Sequence, residues 1–352
     1  MSKPFKRNKP VRKRNWDAND WDTASRQGRS KRPDSAPESV RPADDYFSDG
    51  RTNGVVVSPY GVLAFALCDG SECLCRVDES LVDGKSSVLA SGDRVFIEVD
   101  DRGPVVRAVR PRANKLSRPA IGSDREQVFA ANINHAVIVA SVARPAFNPG
   151  LIDRYLVAAQ AGGVEPIVCV NKVDLAGPLP DGVGMYRELA LKVVLTSCET
   201  GEGIDELRSI LQAGTSVLVG HSGVGKSSLI NALDPNVTVH TQEISDSTNK
   251  GRHTTSASRL YELTGGIRII DTPGIKQLGL WGVSPAELNY YFDEIAETSG
   301  LCKFRDCTHT HEPRCAVRDA VESGRIARAR YESYLRIRAS LEEGERSNPQ
   351  SP

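Results

Sequence analysis

The stretch Gly220-His221-Ser222-Gly223-Val224-Gly225-Lys226-Ser227 satisfies the pattern GxxxxGK[ST] at every fixed position. Its glycines let successive backbone N–H groups turn inward around a phosphate. Lys226 is placed to reach the β and γ oxygens, and the Ser227 hydroxyl to ligate Mg²⁺. The flanks agree: residues 215–220 read as a short buried strand, and residues 227–233 open a helix whose N-terminus, with Ser227 and Ser228, faces the anion. Strand, loop and helix follow in the order that a nucleotide phosphate site requires.

At 352 residues the chain has room for two or three domains. Its 45 basic residues balance 45 acidic ones, so any attraction to nucleic acid must come from local charge. The eight cysteines fall in uneven groups. Without an apolar run of membrane length, and with a phosphate loop present, the expected compartment is the cytoplasm, where clustered cysteines bind metal more often than they form disulfides. The basic N-terminus lacks a following apolar core, which argues against a secretory signal.

Residues 1–50 are rich in Lys, Arg, Asp, Ser and Pro and read as a disordered charged arm, whose basic start fits either an RNA contact or a solvated tail. Between residues 51 and 113 come five short β-rich runs, at 54–57, 61–67, 73–77, 94–99 and 105–109. Five such strands separated by turns predict a small closed barrel of the OB type, a fold that commonly binds oligonucleotides. Its end carries Arg107, Arg110, Arg112, Lys115 and Arg118, a candidate edge for tracking phosphates or a solvated charge run. Cys68, Cys73 and Cys75 read as small core residues, since Cys73 and Cys75 lie at strand spacing with no histidine nearby.

From 114 to 281 strands alternate with helices, which predicts an α/β domain with a mostly parallel sheet. One strand ends in Asn171-Lys172-Val173-Asp174. The Asp174 carboxylate can accept from guanine N1–H and its exocyclic amine, a donor pair that adenine lacks at that edge. Ser197, within 196–198, fits the short loop that supports the base from the other side. Asp271-Thr272-Pro273-Gly274 fits DxxG, with Asp271 holding Mg²⁺ through water and the Gly274 N–H meeting the γ-phosphate. Between these and the phosphate loop, Thr254 or Thr255 could close on Mg²⁺ while the γ-phosphate is present, and Thr255 is preferred. Ile275 stands where Ras-like enzymes carry a water-orienting glutamine, so turnover should be slow. His253 is the candidate to orient the water, with His221 the alternative. The base elements precede the phosphate loop, the reverse of the usual order, as expected of a circularly permuted domain.

From 282 to 340 the chain reads as a small helical module around Cys302, Cys307, His309 and Cys315, three thiolates and an imidazole suited to one Zn²⁺, with His311 interchangeable with His309 on spacing alone. An Arg-rich helix with Tyr331 and Tyr334 follows, suited to an RNA backbone or to solvent. Residues 341–352 read as a disordered tail.

A barrel ending in residues 109–118, a permuted domain with GHSGVGKSS and KGRHTT, and the knuckle CKFRDCTHTHEPRC together resemble the bacterial small-ribosomal-subunit biogenesis GTPase family, RsgA (also YjeQ). The resemblance covers about residues 51–338. It implies GTP hydrolysis to GDP and phosphate, stimulated by the small ribosomal subunit during its late maturation. It also implies a monomer that binds ribosomal RNA through the barrel and the zinc module, near the decoding region. On this resemblance the zinc ligands are Cys302, Cys307, His309 and Cys315, the guanine motif is 171–174 and the switch histidine is His253. Departures are the long arm, His221 and Cys198.

Overall fold

The computed structural model describes residues 53–83, 86–120, 125–175, 177–212, 214–239, 258–272 and 279–347. The arm and the segments 240–257 and 273–278, with His253, Thr254, Thr255, Gly274 and Ile275, lie outside the described residues.

Alternation of inward apolar and outward polar side chains builds the first unit. Strands β1 (Gly54–Tyr60), β2 (Leu63–Cys68) and β3 (Ser71–Val77) are followed by the short pair β4 (Val82–Asp83) and β5 (Ser86–Ser87), then by β6 (Arg94–Asp100) and β7 (Gly103–Val109). The five longer strands close in the order β1-β2-β3-β7-β6, antiparallel except for the parallel β3–β7 pair, as in an OB barrel. Its interior holds Val56, Ala64, Ala66, Cys75, Val95, Ile97 and Val106, and the small residues on β2 and β3 suit the narrow lumen. Asp69 and Gly70, both at positive φ (47° and 78°), make the tight turn between β2 and β3.

The basic run at the barrel's end is largely consumed by ion pairs. Arg107 contacts Asp78 at 2.9 Å, Glu98 at 3.1 Å and Asp100 at 3.5 Å. Arg112 grips the buried Asp93 at 2.7 Å, and Lys115 meets Glu126 at 2.6 Å. These three cations of the run hold the fold together.

Beyond the barrel, the hairpin of β8 (Lys115–Pro119) and β9 (Glu126–Ala131) was not legible in a stretch as polar as KLSRP. Leu116, Phe129 and Ala130 turn it into the core of the next unit. That unit is a six-stranded sheet in the order β12 (Lys192–Leu195), β11 (Glu165–Asn171), β10 (His135–Ser141), β13 (Thr215–Val219), β15 (Ile267–Asp271), β14 (Arg259–Leu263). All neighbours are parallel except β14–β15. Both faces are covered, which is why runs such as AVIVAS are apolar without alternation. Helices α1 (Pro149–Ala161) and α2 (Gly182–Glu188) pack into one core, α3 (Ile204–Leu211) and α4 (Lys226–Leu233) into the other. Asn148 caps α1 by accepting from Leu151 N at 3.2 Å, with Pro149 in the first turn.

Strand β14 is fastened to the barrel at its first residues. The Ser258 carbonyl accepts from Ser58 Oγ at 2.9 Å and from Ser91 Oγ at 2.8 Å, while its own hydroxyl donates to the Phe129 carbonyl at 2.5 Å. Arg259 Nη2 adds an ion pair with Glu72 on β3, donating to its two oxygens at 2.7 and 3.0 Å. At Gly92, with φ +90°, an added Cβ would lie 2.2 Å from the Ala131 carbonyl oxygen. Gly92→Ala should therefore push the barrel off the hairpin and loosen β14; faster amide exchange over 258–263 than in wild type would register it.

The C-terminal module has a core of its own, which the sequence reading did not expect. Helices α5 (Asp293–Ser299), α6 (Ala316–Glu322) and α7 (Arg328–Ser347) enclose Leu288, Phe292, Ile295, Val317, Tyr334 and Ile337, joined by Val157 from α1. Helix α7 continues to Ser347, past the point where a disordered tail was expected, and Leu341 packs on this cluster. Arg330 is 4% exposed, lodged against Asp153 and Glu294 rather than offered to RNA. Among the described residues no helix is long and apolar enough to cross a membrane.

Candidate functional site: a nucleotide cleft and a thiolate-rich knuckle

The ends of β10, β11, β13 and β15 bring the site residues to one edge of the sheet, as expected for parallel strands. In the phosphate loop Gly220, Gly223 and Gly225 take positive φ values of 142°, 81° and 101°. At Gly220 a Cβ would sit 2.2 Å from the Val139 carbonyl oxygen, and at Gly225 2.3 Å from Asn171 Nδ2. Gly225 immediately precedes α4, so the first amides of that helix, from Lys226, Ser227 and Ser228, open onto the loop. Lys226 Nζ donates to the carbonyls of Gly220 at 2.9 Å and His221 at 3.0 Å, spanning its own loop. Burial lowers its pKa, opposed by the nearby Asp271 carboxylate.

Asp271 ends β15 facing Ser227, whose hydroxyl lies 3.5 Å from Oδ2. Burial pushes its pKa up, against the pull of Lys226. Its Oδ1 is buried without a protein partner among the described residues. A carboxylate with one oxygen on the serine and the other free is what a hydrated Mg²⁺ at this place would use. Next to it Thr272 Oγ1 donates to the Leu218 carbonyl at 2.8 Å, tying the start of DxxG to β13.

The base elements are tied to the phosphate loop by direct bonds. Asn171 is buried, and its Nδ2 donates to the Val224 carbonyl at 2.9 Å while Thr196 Oγ1 donates to its Oδ1 at 3.1 Å. Lys172, at φ 63°, donates to the Gly223 carbonyl at 2.7 Å and to the Arg144 carbonyl at 2.6 Å. Asp174 stands exposed at the rim, one oxygen held by the buried Ser197 hydroxyl at 2.6 Å. Ser197 Oγ in turn accepts from the amides of Glu199 and Thr200, both at 3.2 Å. Val173 N donates to the Thr196 carbonyl, joining the two base loops. Cys198 packs against the core under α3 and α4, with its sulfur 3.8 Å from Asn171 Oδ1. His221 is exposed, with Nδ1 2.7 Å from the Ser222 carbonyl, and lines a cavity of about 120 Å³ between β10 and α1.

At the knuckle, Cys302 Sγ lies 3.9 Å from Cys315 Sγ, and His309 Nδ1 lies 3.6 and 3.5 Å from the same two sulfurs. A tetrahedral zinc with Zn–S of about 2.3 Å and Zn–N of about 2.05 Å places its ligands about 3.8 Å (S to S) and about 3.6 Å (S to N) apart. The four ligand atoms, with Cys307, all lie within 4.8 Å of one another, so the donor set and its spacing fit zinc. Burial lowers the His309 pKa, which favours the neutral, ligating ring. His309 is buried and His311 exposed, which decides between the two histidines. Around them Glu312 accepts from Thr308, Thr310 and His311 amides, while Tyr331 and Tyr334 donate to the carbonyls of His309 (2.6 Å) and Thr308 (3.1 Å). The tyrosines of the Arg-rich helix thus hold the ligand loop.

The model of the RsgA GTPase family matches residues 109–281. A small ribosomal subunit biogenesis GTPase RsgA from Haemophilus influenzae (strain 86-028NP) is 38% identical over 299 residues, covering 82% of this chain and 85% of its own. The chain belongs to the RsgA GTPase family. An RsgA from Saccharophagus degradans is 42% identical over 265 residues, 72% of this chain and 77% of its own. Among solved structures, YjeQ from Thermotoga maritima aligns with a TM-score of 0.63 and 32% identity over 82% of this chain and 98% of its own. YloQ, described as a circularly permuted GTPase, aligns at 0.61 and 29% identity over 84% and 96%.

As an RsgA GTPase the protein is a GTP hydrolase. Its cleft also uses residues whose roles the motifs do not specify. Tyr155 on α1 lines the cavity that His221 and Val224 of the phosphate loop share, and Thr196 and Thr272 lock the base and DxxG loops from behind. Only their places at strand ends or on a helix beside the loop could have pointed to them. Gly225→Ala is expected to weaken GDP binding by about 5- to 100-fold, because a positive-φ strain of about 1–3 kcal/mol is joined by collision with Asn171. Titration with a fluorescent GDP checks this.

Proposed function

We propose that this RsgA GTPase is a late maturation factor of the small ribosomal subunit whose slow GTP hydrolysis is accelerated by that subunit. The observation that carries the nucleotide chemistry is the direct tie of Asn171 and Lys172 to Val224 and Gly223, which makes base loop and phosphate loop one cleft. The subunit comes from the names of relatives that match most of the chain.

In this reading residues 51–113, 114–281 and 282–340 act as barrel, GTPase domain and zinc module, and the protein works as a monomer in the cytoplasm. Lys226 exchanges its loop carbonyls for β and γ oxygens when GTP enters, and the 220–228 amides cradle the phosphates. Asp174 and Ser197 read the guanine. Ser227 and Asp271, joined by Thr255, would hold Mg²⁺, which when bound neutralises charge developing on the phosphates. The Gly274 N–H meets the γ-phosphate. His253 orients the attacking water, since Ile275 has no polar group to do so. Cys302, Cys307, His309 and Cys315 would hold one Zn²⁺.

The RNA contact draws support from the surface of the knuckle. Lys303, Phe304, Arg305 and Arg314 are exposed there, with Lys303 Nζ 5.2 Å from the Phe304 ring centre. Cations beside an aromatic face suit phosphate and an unstacked base. Single-turnover hydrolysis with and without small subunits tests the reading. Strong acceleration that His253→Ala abolishes supports it; no acceleration favours an RNA-binding protein in which the nucleotide is structural. Zinc removal should raise amide exchange over 302–315 while α5 to α7 stay protected, because most of the apolar cluster there, from Leu288 and Phe292 to Tyr334 and Ile337, lies outside the ligand loop. Chelation followed by exchange mass spectrometry checks this.

A further inference from the structure

The barrel holds a second cysteine cluster that the nucleotide chemistry does not use. Cys68 closes β2, while Cys73 and Cys75 lie on the same face of β3. Their sulfurs converge: Cys68 Sγ is 2.9 Å from Cys73 Sγ, which is 3.6 Å from Cys75 Sγ, and all three lie within 4.8 Å of one another. Cys75 is fully buried at the barrel's core and the other two are partly buried beside it.

The backbone disfavours a disulfide. Cys68 pairs with Ser71 and Cys73 with Ala66, so Cys68 and Cys73 are diagonal neighbours across the hairpin. Diagonal residues stand about 7–8 Å apart, beyond the about 4.4–6.8 Å between the Cα atoms that a disulfide joins. Cys73 and Cys75 are two residues apart along one extended strand, about 6.5–7 Å, at the far limit of what a disulfide spans. Side chains on such positions can still reach a common point between them. Three thiolates around an ion with M–S of about 2.3 Å sit about 4 Å apart when trigonal. Opening the Cys68–Cys73 contact by about 1 Å produces this.

We propose that Cys68, Cys73 and Cys75 form a second metal site, a three-thiolate seat for a thiophilic d¹⁰ cation such as Zn²⁺ at the end of the barrel, its fourth position open to solvent on the partly buried Cys68 and Cys73 side. Binding replaces three S–H bonds by three metal–sulfur bonds and releases three protons, without electron transfer. The ion would cross-link β2 and β3 beside the Asp69-Gly70 turn.

The test uses the full chain, refolded or purified in Zn²⁺ and freed of loose metal. Elemental analysis with native mass spectrometry should find one more Zn²⁺ per chain in wild type than in Cys73→Ser, and the same difference in a Cys302→Ser background. Cd²⁺ substitution should show thiolate-to-metal absorption in the Cys302→Ser chain that falls by about the share of three thiolates on adding Cys73→Ser. Should a serine variant fail to fold, wild type alone still decides: Zn²⁺ binding must slow alkylation of Cys68 and Cys73 at least ten-fold. Equal metal content with and without Cys73, or alkylation of these thiols at an unchanged rate, overturns the proposal.

Discussion

Asp174→Asn is expected to weaken GTP binding by about 100-fold or more and to erase the preference for GTP over ATP. Two hydrogen bonds from guanine to a charged carboxylate are worth about 1.5–3 kcal/mol each, and an amide cannot accept both. The fold should survive, since the amide oxygen can still accept from Ser197 Oγ, which holds the carboxylate at 2.6 Å. The same chemistry forecasts a rescue: xanthosine triphosphate presents a carbonyl where guanine has its amine, and the new amide can donate to it. Competition binding with GTP, ATP and XTP measures all three quantities. A variant that keeps GTP selectivity would mean that the base lies elsewhere than beside Asp174.

Arg330→Ala should destabilise the protein by about 3–5 kcal/mol, the usual cost of removing one partner from a buried ion pair. The guanidinium contacts Asp153 at 2.6 Å and Glu294 at 2.7 Å and lies 4.4 Å from the Phe292 ring centre. Tyr186 also donates to Asp153, at 3.0 Å. Without Arg330 two carboxylates remain in an apolar seam between α1 and the C-terminal helices. A melting temperature lower by on the order of 10 °C is expected. The deficit has a pH signature. Burial already raises the Asp153 pKa against the pull of Arg330, so losing the guanidinium raises it further. A group whose folded pKa lies above its unfolded one favours folding below the unfolded value and loses that stability as pH rises through the folded value. The variant should therefore lose more stability, relative to wild type, at pH 8 than at pH 5. A melting point within about 2 °C of wild type at both pH values would show the network to be dispensable.

The network also has a functional reading. Asp153 shares α1 with Tyr155, which lines one cavity with His221 and Val224 of the phosphate loop, so one helix joins the C-terminal module to that loop. At the other end of the molecule Ser258, first of the described residues after the 240–257 segment, is fastened to the barrel through Ser58 and Ser91. Both RNA-binding modules of the proposed function thus reach the nucleotide cleft through short chains of packed residues.

Much of this was legible in the sequence because the chemistry is local. The phosphate loop, residues 171–174 and Asp271 announce themselves by residue type and spacing, and parallel strands deliver them to one edge. The barrel's strands could be read from alternation, and the two conformations at Asp69-Gly70 from turn chemistry. What the sequence hid depends on partners distant in the chain. Arg107, Arg112 and Lys115 look like an RNA edge until Asp78, Asp93 and Glu126 fold onto them. Tyr331, Tyr334 and Arg330 look like a nucleic-acid helix until the knuckle and Asp153 occupy them. The hairpin at 115–131 was missed because its buried residues are few and clustered, Leu116 on one strand and Phe129 to Ala131 at the end of the other.

The central claim is that loops from both parts of a reordered chain enclose one guanine nucleotide. Amide exchange of the full chain, titrated with GDP and Mg²⁺, tests it most directly. Peptides covering 170–175, 196–200 and 219–228 should gain protection together, with one shared midpoint. Protection of 219–228 with no change over 170–175 at saturating GDP would contradict it.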